Sequence, residues 1–223
     1  MTTPPEPRPS ATVVLLRDAE SGIELLLLQR APRNDKPGPW VFPGGKVEPA
    51  DVVAGDASSL ASALCAAVRE THEEAGIALD QERLVAISRW ITPEISPQRF
   101  DTWFFLGAIE PSHEVVVCGS ENVAHRWLAP TAALAAQQSG EIQLAPPTFV
   151  TVTWLTEHAR AADALRALAS APFITFRPRI HRTGEGAVML YPGDAGYEAN
   201  DPERTGARHR ILAHADGWRY ERS

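Results

Sequence analysis

Arg69-Glu70-Thr71-His72-Glu73-Glu74-Ala75-Gly76-Ile77 is the stretch on which the reading of this chain turns. It closes a segment in which Leu60, Ala63, Leu64, Ala67, Val68 and Thr71 recur at the spacing of one helix face. Ser58 and Ser59 suit the start of that helix, since a serine hydroxyl accepts a free amide of the first turn. Gly76 suits its end, where the chain turns left-handed. A helix over 59–75 is therefore predicted. On a wheel of about 100° per residue with Leu60 at zero, Glu70, Glu73 and Glu74 fall at roughly 280°, 220° and 320°, beside an apolar stripe running from roughly 300° to 80°. Three carboxylates thus share the margin of a core, with Glu74 between Ala63 and Ala67. Such charges repel unless hard divalent cations neutralise them, and Mg²⁺ favours oxygen ligands. Arg69 stands four residues before Glu73 and can orient a helix carboxylate. His72 lies at roughly 120°, away from the acids, and is set aside as a ligand. Taken alone, an E-x-x-E-E pattern more often describes a solvated acidic face.

Outward from this helix, aliphatic runs at 12–16 and 23–28 flank the polar turn Asp18-Ala19-Glu20-Ser21-Gly22 and read as a β-hairpin. Trp40-Val41-Phe42 leads into Pro43-Gly44-Gly45, where glycines open backbone conformations closed to other residues. Strands are expected at 84–92, 100–109, 114–118 and 123–128, and helices at 130–138, 147–158 and 161–170. From Ile174 the sequence is polar and glycine-punctuated, with candidate strands at 187–191 and 211–214, either an edge of the domain or a separate flap. The order strands, helix, strands, helices predicts an α+β fold, a mixed sheet with helices packed on it.

The 223 residues are 44% hydrophobic and 22% charged, which excludes a wholly disordered or collagen-like chain. A net charge of -7 offers nucleic acid or an anionic membrane no broad attraction, so a polyanionic substrate needs local cations or a metal. The longest aliphatic runs, Val13-Val14-Leu15-Leu16 and Leu25-Leu26-Leu27-Leu28, fall far short of the roughly 20 residues that span a bilayer. Cys65 and Cys118 form no C-x-x-C pair and are expected as small buried residues. The opening MTTPPEPRPS lacks a secretory apolar core, so residues 1–10 are expected to be a disordered tail on a cytoplasmic protein.

Pro43-Gly44-Gly45-Lys46-Val47-Glu48, followed by the stretch quoted first, resembles the Nudix box, G-x(5)-E-x(7)-R-E-U-x-E-E-x-G-U with U aliphatic. Arg69, Glu70, Glu73, Glu74, Gly76 and Ile77 match it, and Thr71 departs at an aliphatic position. Arg69 follows Gly45 by 24 positions rather than 14, so ten residues are inserted, and the expected glutamate is either replaced by Asp51 or lost in the insertion. Such an extended box, with residues 25–51 and 90–107, is similar to the Nudix branch that includes peroxisomal coenzyme A diphosphatase. The resemblance implies an α/β/α sandwich with a mixed sheet over 11–140 and a packed C-terminal extension of helices and strands over 141–223.

It further implies a metal-dependent pyrophosphohydrolase acting on a nucleoside diphosphate-linked small molecule, with coenzyme A or acyl-CoA favoured. The alternatives are ADP-ribose, NADH or a nucleotide sugar as substrate, or a non-catalytic regulatory module that binds nucleotide. Intact Arg69, Glu70, Glu73 and Glu74 argue against the last. Carried over by resemblance, Glu70, Glu73 and Glu74 with the Gly44 carbonyl are ligands for Mg²⁺ or Mn²⁺. Arg69 supports them, and Glu121 is the first candidate general base with Glu73 second. Arg30, Arg33 and Arg99 flank apolar strands and are candidates for the substrate's phosphates, because guanidinium binds phosphate through a fork. Trp40, Phe100, Trp103 and Phe104 could wall a base or simply fill the core. The inserted region 49–58 could be a lid or a surface loop, its small residues favouring the loop. A homodimer is expected from the superfamily.

Overall fold

The computed structural model describes residues 4–32, 36–117, 119–184 and 186–223. In chain order the elements are β1 (Arg8–Ala19), β2 (Gly22–Arg30), β3 (Trp40–Val41), β4 (Gly44–Lys46), α1 (Leu60–Ala75), β5 (Val85–Ile91), β6 (Phe100–Ala108) and β7 (Asn122–Leu128). There follow α2 (Pro130–Gln138), α3 (Pro146–Leu155), α4 (Ala161–Ser170), β8 (Ile174–Phe176), β9 (Arg179–Thr183), β10 (Gly186–Leu190), β11 (His209–His214) and β12 (Gly217–Arg222).

The main sheet runs β3-β2-β1-β6-β5-β8, with β4 alongside β1 and β7 alongside β2. It is mixed, since β1 and β6, and β5 and β8, run parallel. Strand side chains alternate between faces, so a solid run of leucines serves two cores at once. Val13, Leu15, Leu26 and Leu28 pack with Ala63, Ala66 and Ala67 of α1. Val14, Leu16, Leu25 and Leu27 pack with Ala133 of α2, Val150 and Leu155 of α3 and Ala164 of α4. The result is the α/β/α sandwich that the family resemblance implies.

The extension is an integral part of this core. Strand β8 continues the main sheet, and β12-β11-β10-β9 form a second, antiparallel sheet. Phe176, Tyr191 and Ile211 join the same buried cluster as Trp90 and Phe104. Trp90 stacks on Phe176 at 3.8 Å and meets Tyr191 edge-on at 5.5 Å.

Three expectations need correction. Residues 8–10 of the expected tail are strand, because β1 lies between β4 and β6 there and Pro9 contributes only its carbonyl, accepting from the Val47 N–H. Residues 114–117 form no strand; Val116 N–H donates to the Ala75 carbonyl at the end of α1, and Val115 and Val117 lean on the α1-side core. Cys118 lies outside the described residues, and Cys65 is half-buried. Among the described residues no helix is long and apolar enough to cross a membrane.

Candidate active site

The site begins with a backbone that only glycine can supply. Gly44 pairs with Thr12 across β4 and β1, and Thr12 Oγ1 fixes the approach by donating to the Pro43 carbonyl at 2.7 Å. Gly44 has φ +155°, and a Cβ there would stand 2.4 Å from the Ala11 carbonyl oxygen. A Cβ on Gly45 would stand 2.2 Å from Glu70 Oε1. The twin glycines therefore bring a main-chain loop against the sheet on one side and a carboxylate on the other.

Helix α1 presents its acids to this loop. Ser59 caps it by accepting from the Ser62 N–H, and Gly76 ends it at φ +70°. Thr71, the departure from the family pattern, is fully buried and donates its hydroxyl to the Ala67 carbonyl at 2.7 Å, so it packs as an aliphatic residue would. Glu74 is 3% exposed, its Oε2 accepting from Gly44 N–H at 2.8 Å and its Oε1 from Arg30 Nη1 at 3.0 Å. Arg30 also reaches Glu121 Oε2 at 3.1 Å through Nη1 and the Gly44 carbonyl at 3.0 Å through Nη2. One guanidinium thus gathers oxygens from β4, α1 and the loop before β7.

Arg69 organises the remaining acids. Its Nε and Nη2 fork onto Asp51, at 2.8 Å for Nη2 to Oδ2, and its Nη1 reaches Glu70 at 3.0 Å and Glu73 at 2.9 Å. Asp51, separated from Gly45 by the five residues that the box places there, therefore stands as a shorter substitute for the expected glutamate. The ten extra residues therefore lie between Asp51 and Arg69, which moves the start of the inserted region from the expected 49 to beyond Asp51. Burial would lift the Asp51 carboxyl, but Arg69 and the Glu48 N–H hold it below the usual range. Burial is also the chief influence on Glu70, and there it prevails: its carboxyl is raised despite Arg69, with the charges of Glu74 and Glu73 adding to the effect. The hydrogen bond to Asp51 raises Arg69, which stays charged throughout.

These groups open into one cavity of about 1320 Å³. Gly44, Arg69, Glu70, Glu73, Glu74, Arg30 and Glu121 all line it. Arg99 does not; it donates to the Thr92 and Pro5 carbonyls and ties the N-terminal segment to the turn between β5 and β6. Arg33 lies outside the described residues. Phe100 and Phe104 line the cavity, whereas Trp40 is a buried core residue and Trp103 packs on the opposite face beneath Arg89. Residues 49–58 line none of it; beyond the buried Asp51 they form a surface loop knotted to the start of α1 through Ser59 and Ser62. Sequence reading missed three cations at the rim, Arg8, Lys36 and Lys46. Lys46 had a signal, its place directly after the glycine pair, while Arg8 was hidden in a proline-rich stretch.

A profile of the NUDIX domain matches residues 6–149. The chain belongs to the Nudix family. The human acyl-coenzyme A diphosphatase NUDT19 is 31% identical over 196 residues, covering 83% of this chain and 50% of that protein. The chain thus spans about half the length of this Nudix relative. The Xenopus laevis acyl-coenzyme A diphosphatase NUDT19 is 24% identical, covering 86% of this chain and 76% of its own length. Among solved structures, a NUDIX hydrolase from Alicyclobacillus acidocaldarius is 27% identical with a TM-score of 0.64, covering 75% of this chain and 99% of that one.

The donors of the Nudix box suit a hard divalent cation. They are all oxygens, one main-chain and the rest carboxylates. The Gly44 carbonyl, Glu74 and Glu121 already converge on a positive group, the Arg30 guanidinium. As placed, the acids are divided between two arginines, and among the described residues no three His, Cys, Asp or Glu side chains close on a single point. Metal binding there means exchanging arginine contacts for metal contacts.

Proposed function

We propose that this chain is a metal-dependent Nudix pyrophosphohydrolase that cleaves the diphosphate of a nucleoside diphosphate derivative, with coenzyme A or acyl-CoA as its substrate. The observation that carries this reading is the meeting of Glu70, Glu73 and Glu74 with the Gly44–Gly45 loop inside one large cavity. The substrate assignment draws support from the two acyl-coenzyme A diphosphatase relatives.

Glu70, Glu73, Glu74 and the Gly44 carbonyl would hold Mg²⁺ or Mn²⁺, which supplies charge neutralisation on the diphosphate oxygens and a more acidic water. Arg69 holds Glu70 and Glu73 through Nη1 while Asp51 anchors its other edge. Glu121, mostly exposed at the cavity wall and paired there with Arg30, is the first candidate to accept the proton of an attacking water; Glu73 is the second. Arg30 offers its fork to a phosphate once its carboxylates are otherwise engaged. Lys46, Lys36 and Arg8 add positive charge at the rim of an otherwise acidic molecule. Attack by water on phosphorus breaks one P–O bond of the anhydride and, from CoA, releases adenosine 3′,5′-bisphosphate and 4′-phosphopantetheine.

The test is a panel of CoA, ADP-ribose, NADH and nucleotide sugars incubated with the purified protein and Mg²⁺ or Mn²⁺, with products separated by chromatography. CoA consumption with release of the bisphosphate is expected. ADP-ribose consumption with CoA untouched would overturn the substrate and keep the chemistry. Tight nucleotide binding without turnover of any compound would overturn the enzyme.

A further inference from the structure

We infer that the C-terminal sheet builds an apolar end to the cavity, and that Ile180 and Met189, together with Trp90, select substrates whose diphosphate carries an acyl-thioester arm. This rests on the pyrophosphohydrolase reading above and adds to it a second subsite on residues beyond the matched Nudix segment, which ends at 149.

The register of the sheet gives the distance. Lys46 of β4 pairs with Ser10, Ser10 with Thr102, and Thr102 with Trp90, so the floor of the cavity crosses β4, β1, β6 and β5 in turn. Three strand spacings of about 4.8 Å put Trp90 about 14 Å from the glycine loop. All four of these residues line the cavity. Chemistry changes along the way. The loop end carries the carboxylates and arginines; the middle carries the hydroxyls of Ser10 and Thr102, 2.7 Å apart; the far end is Trp90 and Ile91.

The far wall comes from the extension. Ile180 of β9 and Met189 of β10 are cross-strand partners, both half-buried, and both line the cavity. Trp90 is held flat by its stack on Phe176, and its Nε1 donates to Ser88 Oγ at 3.2 Å, so its ring offers the cavity no hydrogen-bond donor.

A ligand that fits this gradient has a diphosphate at one end, hydrogen-bonding groups in the middle and an apolar chain beyond. A pantetheine arm with its two amides, ending in an acyl thioester, has that order. ADP-ribose, NADH or a nucleotide sugar would instead bring sugar hydroxyls against Ile180, Met189 and Trp90, where burying them without partners is costly.

The decisive experiment compares kcat/KM for octanoyl-CoA and for CoA within each protein sample, a ratio that does not depend on the fraction folded. In the wild type the ratio should exceed ten, since each buried methylene strengthens binding by about fourfold. Ile180→Asn should lower the ratio at least fivefold, through a raised KM for octanoyl-CoA. Met189→Phe keeps the wall apolar and fills it, and should shift the preferred acyl chain to a shorter length. If CoA and octanoyl-CoA are both hydrolysed with a ratio near one, or with a ratio that neither variant moves, the apolar subsite is overturned and the pyrophosphohydrolase reading stands. If neither is hydrolysed while ADP-ribose is, the substrate reading fails and the subsite falls with it.

Discussion

Two arginine–carboxylate clusters in this molecule look alike on paper and differ in stoichiometry. At the glycine loop, Arg30 and Arg69 are shared among Asp51, Glu70, Glu73, Glu74 and Glu121. In the C-terminal sheet Arg210 is paired with a single carboxylate, Asp194, through Nε and Nη2 at 2.7 Å each, its Nη1 donates to the Pro202 carbonyl, and the Gly196 and His209 N–H groups complete the carboxylate at 2.9 Å. Both partners of this clasp are almost fully buried. Every oxygen of Asp194 is matched to donors, so the pair fixes the loop that follows β10 and has no capacity for anything else. Around Arg30 and Arg69 the five acids outnumber the two arginines, and Glu70 is pushed up chiefly by burial, with the charges of Glu74 and Glu73 adding to it. An excess of carboxylate over guanidinium is what leaves room for a further cation; one-to-one pairing closes it.

The comparison can be broken most decisively at Glu74. Glu74→Gln keeps the shape of the side chain and removes its charge, and Mg²⁺-dependent CoA hydrolysis should fall at least about 10³-fold, or about 4 kcal/mol in the barrier. Unfolding free energy should change by only about 1–2 kcal/mol, the cost of one altered hydrogen bond. Unimpaired turnover in steady-state assays would remove the glycine-loop cluster from the chemistry.

Asp194→Ala should show the reverse pattern. It strands the Arg210 charge in the interior, and denaturant titration should register a loss of about 3–5 kcal/mol. A loss under about 1 kcal/mol would mean that the clasp is not holding the extension. Acid gives a milder version of the same test. Burial favours the protonated form of Asp194, but Arg210 and the two amides outweigh it and hold its carboxyl at about 2, against 3.8 for the free group. A depressed carboxyl contributes stability that is whole above the unfolded value and fades as pH falls from 3.8 toward 2. The wild type should therefore be more stable than Asp194→Asn at pH 5, and the gap should narrow as pH falls toward 2 and close below it, as followed by thermal melts. The smallest effect is expected for Thr71→Val, within about 1 kcal/mol by the same melts, because its hydroxyl only returns to the carbonyl one turn back.

Much of this was legible because local rules and tertiary packing agreed. The helix at 60–75 has its cap, stripe and glycine stop in the sequence, and the helices expected at 130–138 and 161–170 form over those residues. The failures occurred where long-range pairing overrode local composition. Arg8 and Pro9 read as a disordered tail and became strand because β4 and β6 flank them. Residues 114–117 have the valines of a strand and were claimed by the end of α1 instead. Strand β9, with Arg179, His181 and Arg182 among its five residues, carries too much charge to be recognised without the partner strand β10. At the site, the acids and glycines were visible as a motif, whereas Arg8, Lys36 and the apolar wall of Ile180 and Met189 arrive from distant sequence.

The pairing of β8 with β5 has a consequence for how the molecule behaves before it is finished. Ser88 and Ile174 are 86 positions apart, so the outer edge of β5 stays bare until three more helices, α2, α3 and α4, have been made and the chain returns. A bare edge is a template on which a second chain can build, and distant closures are slow to form. A chain cut at residue 149 would keep the catalytic box and leave this edge open, with the Trp90 ring stripped of its stacking partner. The extension therefore caps an edge that would otherwise be open to pairing with another chain.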